Sequence, residues 1–228
     1  MTTEAIATLH TIDAANREKN WGMLINFLND QNNDNTTFYA IKVIILRNLP
    51  VEVIKNIVIT FNFDLHQYNE RLVEDCILAY NYVALEYFIE CGINIPSVIT
   101  NGKNSCNILK LAADYLDYGN EKIISLLLKN GFDPNSDGGY AFKCTVKRGI
   151  RELVQIFIDY GIDIKYQIQA LNIAIKEKQI NIVKILVDAG ISVDEIIAVP
   201  DPITNADINY LVDIGIDPII LLKMWYKN

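Results

Sequence analysis

The sequence predicts an all-α solenoid of about seven helix-turn-helix units. Three observations predict it. Residues suited to ending a helix recur about every thirty positions. Two short helical patterns fill each interval. Neither pattern is long enough to be stable alone, since isolated helices under ~12 residues are marginal in water. Such hairpins must bury their apolar faces against their neighbours, which is the physics of nearest-neighbour stacking.

The recurrence is read first from five segments: ALEYFIECGINIP (84–96), KIISLLLKNGFDPN (122–135), LVQIFIDYGIDIK (153–165), IVKILVDAGISVDE (182–195) and INYLVDIGIDP (208–218). Each is an apolar helical run closed by glycine, at Gly92, Gly131, Gly161, Gly190 and Gly215, with spacings of 39, 30, 29 and 25. Stepping back by thirty reaches Asn62 and then Asn32. Asn ranks next to Gly for a left-handed helix cap, so the register extends to the N-terminus. Units are expected to end near 32, 62, 92, 131, 161, 190 and 215, with a capping helix over 217–228, in one solenoid spanning 1–228. The 39-residue unit holds an insertion, read as a longer first helix and a longer loop over 95–105.

Residues 141–161, AFKCTVKRGIRELVQIFIDYG, show one unit in detail. The spacing predicts a first helix over Ala141–Lys147 with Phe142, Thr145 and Val146 inward, and a break at Gly149. A second helix is expected over Arg151–Asp159, carrying Leu153, Val154, Ile156, Phe157 and Ile158. Apolar residues occupy most of its circumference, so it must be packed on more than one side.

Composition narrows the function classes. Of 228 residues 51% are hydrophobic and 21% charged, too apolar for a disordered chain. The net charge of −8 repels phosphate backbones, so no nucleic-acid partner is expected. No apolar run approaches the ~20 residues that span a bilayer, and the first thirty residues lack a signal-peptide core, so a cytoplasmic protein without membrane contact is expected. Cys76, Cys91, Cys106 and Cys144 form no CxxC pair and read as reduced, small apolar residues. Ile and Asn are abundant, 37 and 24 residues against five Arg, a bias that folding does not explain at this level.

The repeating segments resemble the ankyrin repeat, whose pattern reads roughly TPLHxAAxxGHxEIVKLLLxxGADxN. GNEKIISLLLKNG (119–131) and GIRELVQIFIDYG (149–161) fit its second half without a gap. The small first position of its Ala-Ala pair is held by Cys76, Thr145 and Ala174. The resemblance is strong over 84–195 and weak before 60 and after 200. It departs from the family in lacking TPLH and in a period of thirty rather than thirty-three, so short, irregular fingers with little ladder pairing are expected. The Ile/Asn-rich style resembles ankyrin units of large DNA viruses, mimivirus relatives especially, and implies a viral protein engaging a host factor.

No catalytic constellation accompanies the repeats. The two histidines, His10 and His66, lie in different units, and GxGxxG, GxxxxGK[ST] and GxSxG are absent. A non-enzyme without metal or cofactor is expected. Asp133–Gly138 matches the opening of a calcium loop, but its twelfth position is Cys144 where a bidentate Glu belongs; the same residues suit a turn. Leu49-Pro50-Val51-Glu52-Val53-Ile54 resembles the start of an F-box, and the alternative function is a ubiquitin-ligase substrate adaptor. In the repeat register, Pro50 instead falls in an inter-helix turn and Ile54, Ile57 and Val58 in a helix core. Trp21 reads as part of an N-terminal cap.

The resemblance implies a monomeric module that binds a protein partner on a concave groove of fingers and first helices, with the second helices behind. Tyr68, Tyr140 and Tyr166 fall at or beside expected fingers, where aromatic anchors bury much area at little entropic cost. Lys143, Lys147, Lys165, Lys176 and Lys178 bring basic character to an acidic chain. The partner-binding candidates are Tyr68, Tyr140, Lys147, Tyr166 and Lys176.

Overall fold

Helices occur where the apolar spacing places them, and short left-handed turns separate them. The computed structural model describes residues 2–95, 98–101, 104–116, 119–177, 179–191, 209 and 212. The unit ending near Gly215, the helix expected over 217–228 and Lys178 lie outside the described residues. Twelve α-helices occur among the described residues, and the fold is all-α apart from one hairpin. The chain divides into two compact units, Met1–Ile108 and Leu109–Asn228.

The first unit contains α1 (Thr3–Glu18), α2 (Gly22–Gln31), α3 (Asp34–Leu46), α4 (Val51–Phe61), α5 (Asn69–Leu78) and α6 (Tyr82–Glu90). It closes with strands β1 (Val98–Asn101) and β2 (Asn104–Asn107). The second unit contains α7 (Ile108–Asp114, starting on the unit boundary), α8 (Glu121–Lys129), α9 (Ser136–Lys147), α10 (Arg151–Asp159), α11 (Ile164–Lys176) and α12 (Ile180–Asp188). Helices pair in sequence. First helices then pack on first helices, α1 on α3 on α5 and α9 on α11, while second helices pack on second helices, α2 on α4 on α6 and α8 on α10 on α12.

One burial pattern serves the pairs that follow α1 and α2. Second helices bury Val53, Ile54 and Ile57; Ala84, Leu85 and Phe88; Ile123, Ile124, Leu127 and Leu128; Leu153, Val154 and Phe157; and Ile182, Val183 and Leu186. This is an i, i+1, i+4 stripe, wide enough to meet two neighbours. First helices repeat it with Leu72, Val73, Cys76 and Ile77, with Ala141, Phe142, Thr145 and Val146, and with Ala170, Leu171, Ala174 and Ile175. Burying one such aliphatic or aromatic side chain contributes about 1.5–3 kcal/mol. Small residues at Cys76, Thr145 and Ala174 let the helices approach closely, and each is fully buried. Thr145 keeps its hydroxyl satisfied by donating to the Ala141 carbonyl, 2.9 Å away.

The helix ends follow the turn chemistry. The second helices α2 and α4 close on Asn32 and Asn62 at φ 44° and 46°, and Gly92, Gly131, Gly161 and Gly190 take positive φ at the corresponding places. A second residue of positive φ lies between the helices of five pairs: Lys19, Asn48, Tyr80, Gly119 and Gly149. Pro50 precedes α4, where its missing N–H costs no helical hydrogen bond.

The asparagines acquire a folding use. Asn48 Nδ2 donates to the Ala79 carbonyl at 2.9 Å, and Asn81 Nδ2 donates to the Ile45 carbonyl at 3.2 Å. Each thereby ties its own inter-helix turn to the neighbouring one. Asn135 does the same in the second unit, donating to the Gly161 carbonyl at 3.3 Å and accepting from the Asp163 N–H at 2.7 Å.

The insertion corrects one expectation. The first helix of the 39-residue unit is not longer: α7 runs only from Ile108 to Asp114. Much of the extra chain is the antiparallel hairpin, in which Val98 pairs with Asn107 and Asn101 with Asn104. The β-branched Val98, Ile99 and Thr100 favour extended backbone, and the Asn101–Asn104 pairing leaves a two-residue connection, 102–103, whose sequence opens on glycine, as tight hairpin turns favour. It is the one ladder among the described residues.

Candidate protein-interaction face

Three first helices of the second unit present one polar face. On α7 it carries Lys110 and Asp114, one turn apart. On α9 the i, i+3, i+7 spacing aligns Tyr140, Lys143 and Lys147, opposite the buried Ala141, Phe142, Thr145 and Val146. On α11 Tyr166, Gln169 and Lys176 stand clear of the buried Ala170, Leu171, Ala174 and Ile175.

Contacts between helices knit this face together. Tyr140 donates its hydroxyl to Asp114 Oδ1 at 2.7 Å, and Lys110 Nζ lies 5.3 Å from the Tyr140 ring centre. Lys143 donates to Gln169 Oε1 at 3.3 Å and places Nζ 5.8 Å from the centre of the Tyr166 ring. Lys165 Nζ lies 4.6 Å from the same ring and 3.0 Å from Asp163. An ammonium over an aromatic ring is attracted by the ring quadrupole. The Asp114 carboxylate holds the Tyr140 proton and pushes that phenol above its ordinary value. The Asp163 carboxylate likewise raises Lys165.

Tyr166 is held from behind by backbone. Asp137, Gly138 and Gly139 take φ of 49°, 66° and 68°, a left-handed turn at the start of α9. A Cβ on Gly139 would stand 2.8 Å from Tyr166 Cγ, so only glycine lets the ring lie there.

The sequence-based candidates divide between the units. Tyr140, Lys147, Tyr166 and Lys176 all lie on the α7–α9–α11 face. Lys147 and Lys176 are exposed in the last turns of α9 and α11. Tyr68 lies in the first unit, at the end of a 3-10 turn over Leu65–Tyr68. Its ring stacks on Phe38 at 4.2 Å between centres and on Phe63 at 5.5 Å, so it is half-buried packing. The sequence analysis missed Lys110, Asp114 and Gln169. Lys110 stands thirty positions before Tyr140, and that register was the available signal.

The alternative motifs also take their places. Ile54 is fully buried in α4 and Leu49 half-buried before it, so the F-box-like segment contributes its Ile54 to helix packing. Asp133 Oδ1 accepts from the Asn135 N–H at 2.9 Å, and Asn135 bridges onward to Gly161 and Asp163; the calcium-like residues build a turn. Among the described residues no helix is long and apolar enough to cross a membrane, and no three His, Cys, Asp or Glu residues are grouped to hold a metal.

Paired helices closed by left-handed caps, stacked first on first and second on second, are the arrangement that the family comparison addresses. The family model for ankyrin repeats matches residues 109–196, in three copies. The match covers the α7–α8, α9–α10 and α11–α12 pairs, and with them the whole polar face. The fold is therefore an ankyrin-type helical repeat. No curated protein and no solved structure matches the chain.

Proposed function

We propose that the chain is a non-catalytic protein-interaction module that engages its partner on the first-helix face of the ankyrin repeats in 109–196. The observation that carries this reading is Tyr166, half-buried on the Gly138–Gly139 backbone and flanked by Lys143 and Lys165. An aromatic side chain already held in place loses little entropy when a partner covers it. Ankyrin repeats generally serve protein–protein interaction, which supports the assignment. The module is proposed to act as a monomer in the cytoplasm. A viral origin with a host partner rests on the Ile/Asn-rich style of the repeats.

Site-directed photocrosslinking tests the surface. A crosslinker is placed at Lys147 or Gln169 on the first helices, and at the exposed Gln155 or Lys184 on the second helices. With extract of the natural host, adducts are expected from the first pair and not from the second. Adducts from Gln155 and Lys184 alone would move the partner to the opposite face.

A further inference from the structure

We infer that the segment bound on this face is acidic: an extended stretch of a partner protein carrying Asp or Glu on either side of an apolar residue. This rests on the interaction reading above and adds the chemistry of the partner. Charge is the first argument. The chain carries 28 acidic against 20 basic residues, yet α7, α9 and α11 hold five lysines and two aspartates. The first helices of the other unit, α1, α3 and α5, hold seven acidic and three basic residues, so the basic face belongs to the second unit alone.

The second argument is engagement. Asp114 already accepts the Tyr140 hydroxyl, and Asp163 already accepts from Lys165. Lys143 meets only a neutral amide oxygen and an aromatic ring in these contacts. An arriving carboxylate would give its ammonium a charge-assisted hydrogen bond. The third is an apolar contact. Ile164, beside Lys165 and two positions before Tyr166, is 61% exposed, unusual for a large aliphatic residue.

The geometry favours a protein segment over a nucleic acid. Base stacking needs an open ring face. The Tyr166 ring lies on Gly139 and is approached by two ammonium groups, while Lys110 approaches the Tyr140 ring.

The test is a selection of random peptides about a dozen residues long, displayed against the immobilised full chain at about 0.15 M salt. Enrichment of peptides with acidic residues flanking an apolar one is expected. Those peptides should bind the Tyr166→Ala and Lys143→Glu chains about tenfold more weakly or worse. Tyr166 and Lys143 are both half-buried, so unchanged circular dichroism and a retained cooperative unfolding transition check that each variant keeps the fold. Neutral or basic peptides that are enriched and still lost with Tyr166→Ala would overturn the acidic assignment while leaving the first-helix face as the site. Enriched peptides indifferent to both substitutions, or no enrichment, would overturn both. Displacement of the acidic peptides by a single-stranded oligonucleotide at equal charge concentration would overturn the choice of a protein segment.

Discussion

The ring of Tyr166 lies against the bare backbone of Gly139, and a methyl group on that glycine would reach within 2.8 Å of Tyr166 Cγ. Gly139 also takes φ 68°. Gly139→Ala must therefore both strain the turn and displace the ring, and a loss of about 1–3 kcal/mol is expected in urea unfolding. Gly138→Ala has its nearest Tyr166 atom at 3.8 Å and φ 66°, so it should show the strain without the displacement. Equal losses from the two substitutions, with Tyr166 chemical shifts unmoved, would contradict this packing.

Asn81 performs two tasks. Its Oδ1 caps α6 by accepting from the Ala84 N–H at 3.0 Å, and its Nδ2 reaches the Ile45 carbonyl of the preceding pair. Asn81→Ala removes both and should cost about 2 kcal/mol in denaturant unfolding. Asn81→Asp keeps the cap acceptor but brings a carboxylate to a carbonyl oxygen. If bridging matters more than capping, Asn81→Asp loses at least as much stability as Asn81→Ala; full retention would assign the residue to capping alone.

Lys42 and Asp75 join α3 to α5 through a 2.8 Å ion pair, and Asp75 Oδ2 is buried with no hydrogen-bond partner among the described residues. Burial pushes the Asp75 carboxyl above its ordinary 3.8, and Lys42 offsets this only in part. The folded chain then holds the proton more tightly than the unfolded chain. This group's contribution is greatest below the ordinary carboxylate value and is lost as pH rises through the folded one. In urea titrations from pH about 4 to neutrality, Asp75→Asn should lack that decline. Parallel profiles for the two proteins would show that Asp75 does not titrate this way.

Thiol chemistry should separate the cysteines. Cys76 is fully buried in α5, and burial raises its thiol well above the ordinary value. Cys91 is exposed where α6 ends. Only the thiolate reacts, so a maleimide pulse on the folded chain should label Cys91 early and Cys76 only after denaturant is added. Mass mapping of the labelled sites reads this directly, and early labelling of Cys76 would show that α5 opens.

The α9–α10 pair shows how much local sequence determines. Phe142, Thr145 and Val146 are inward, Gly149 takes φ 75°, and the second helix runs from Arg151 to Asp159, as the apolar spacing requires. Helical periodicity, a small residue at each close approach and a left-handed cap are all properties of a few neighbouring residues, so one sequence displays them. The hairpin of β1 and β2 was within reach too, from Val98-Ile99-Thr100 and the glycine that follows Asn101, but a loop reading gave those residues no partner strand.

Tertiary structure alone decided which polar residues meet. Tyr68 and Tyr166 look alike in sequence, each beside a turn, yet Tyr68 is stacked between Phe38 and Phe63 while Tyr166 stands between Lys143 and Lys165. Lys110 joins Tyr140 across thirty positions, and Asn48 and Asn81 cross-tie turns whose composition seemed only a bias. Burial follows from hydrophobicity, which each residue carries with it. A hydrogen bond or a ring contact depends on the direction of two side chains on different helices, and that direction exists only once the helices have packed.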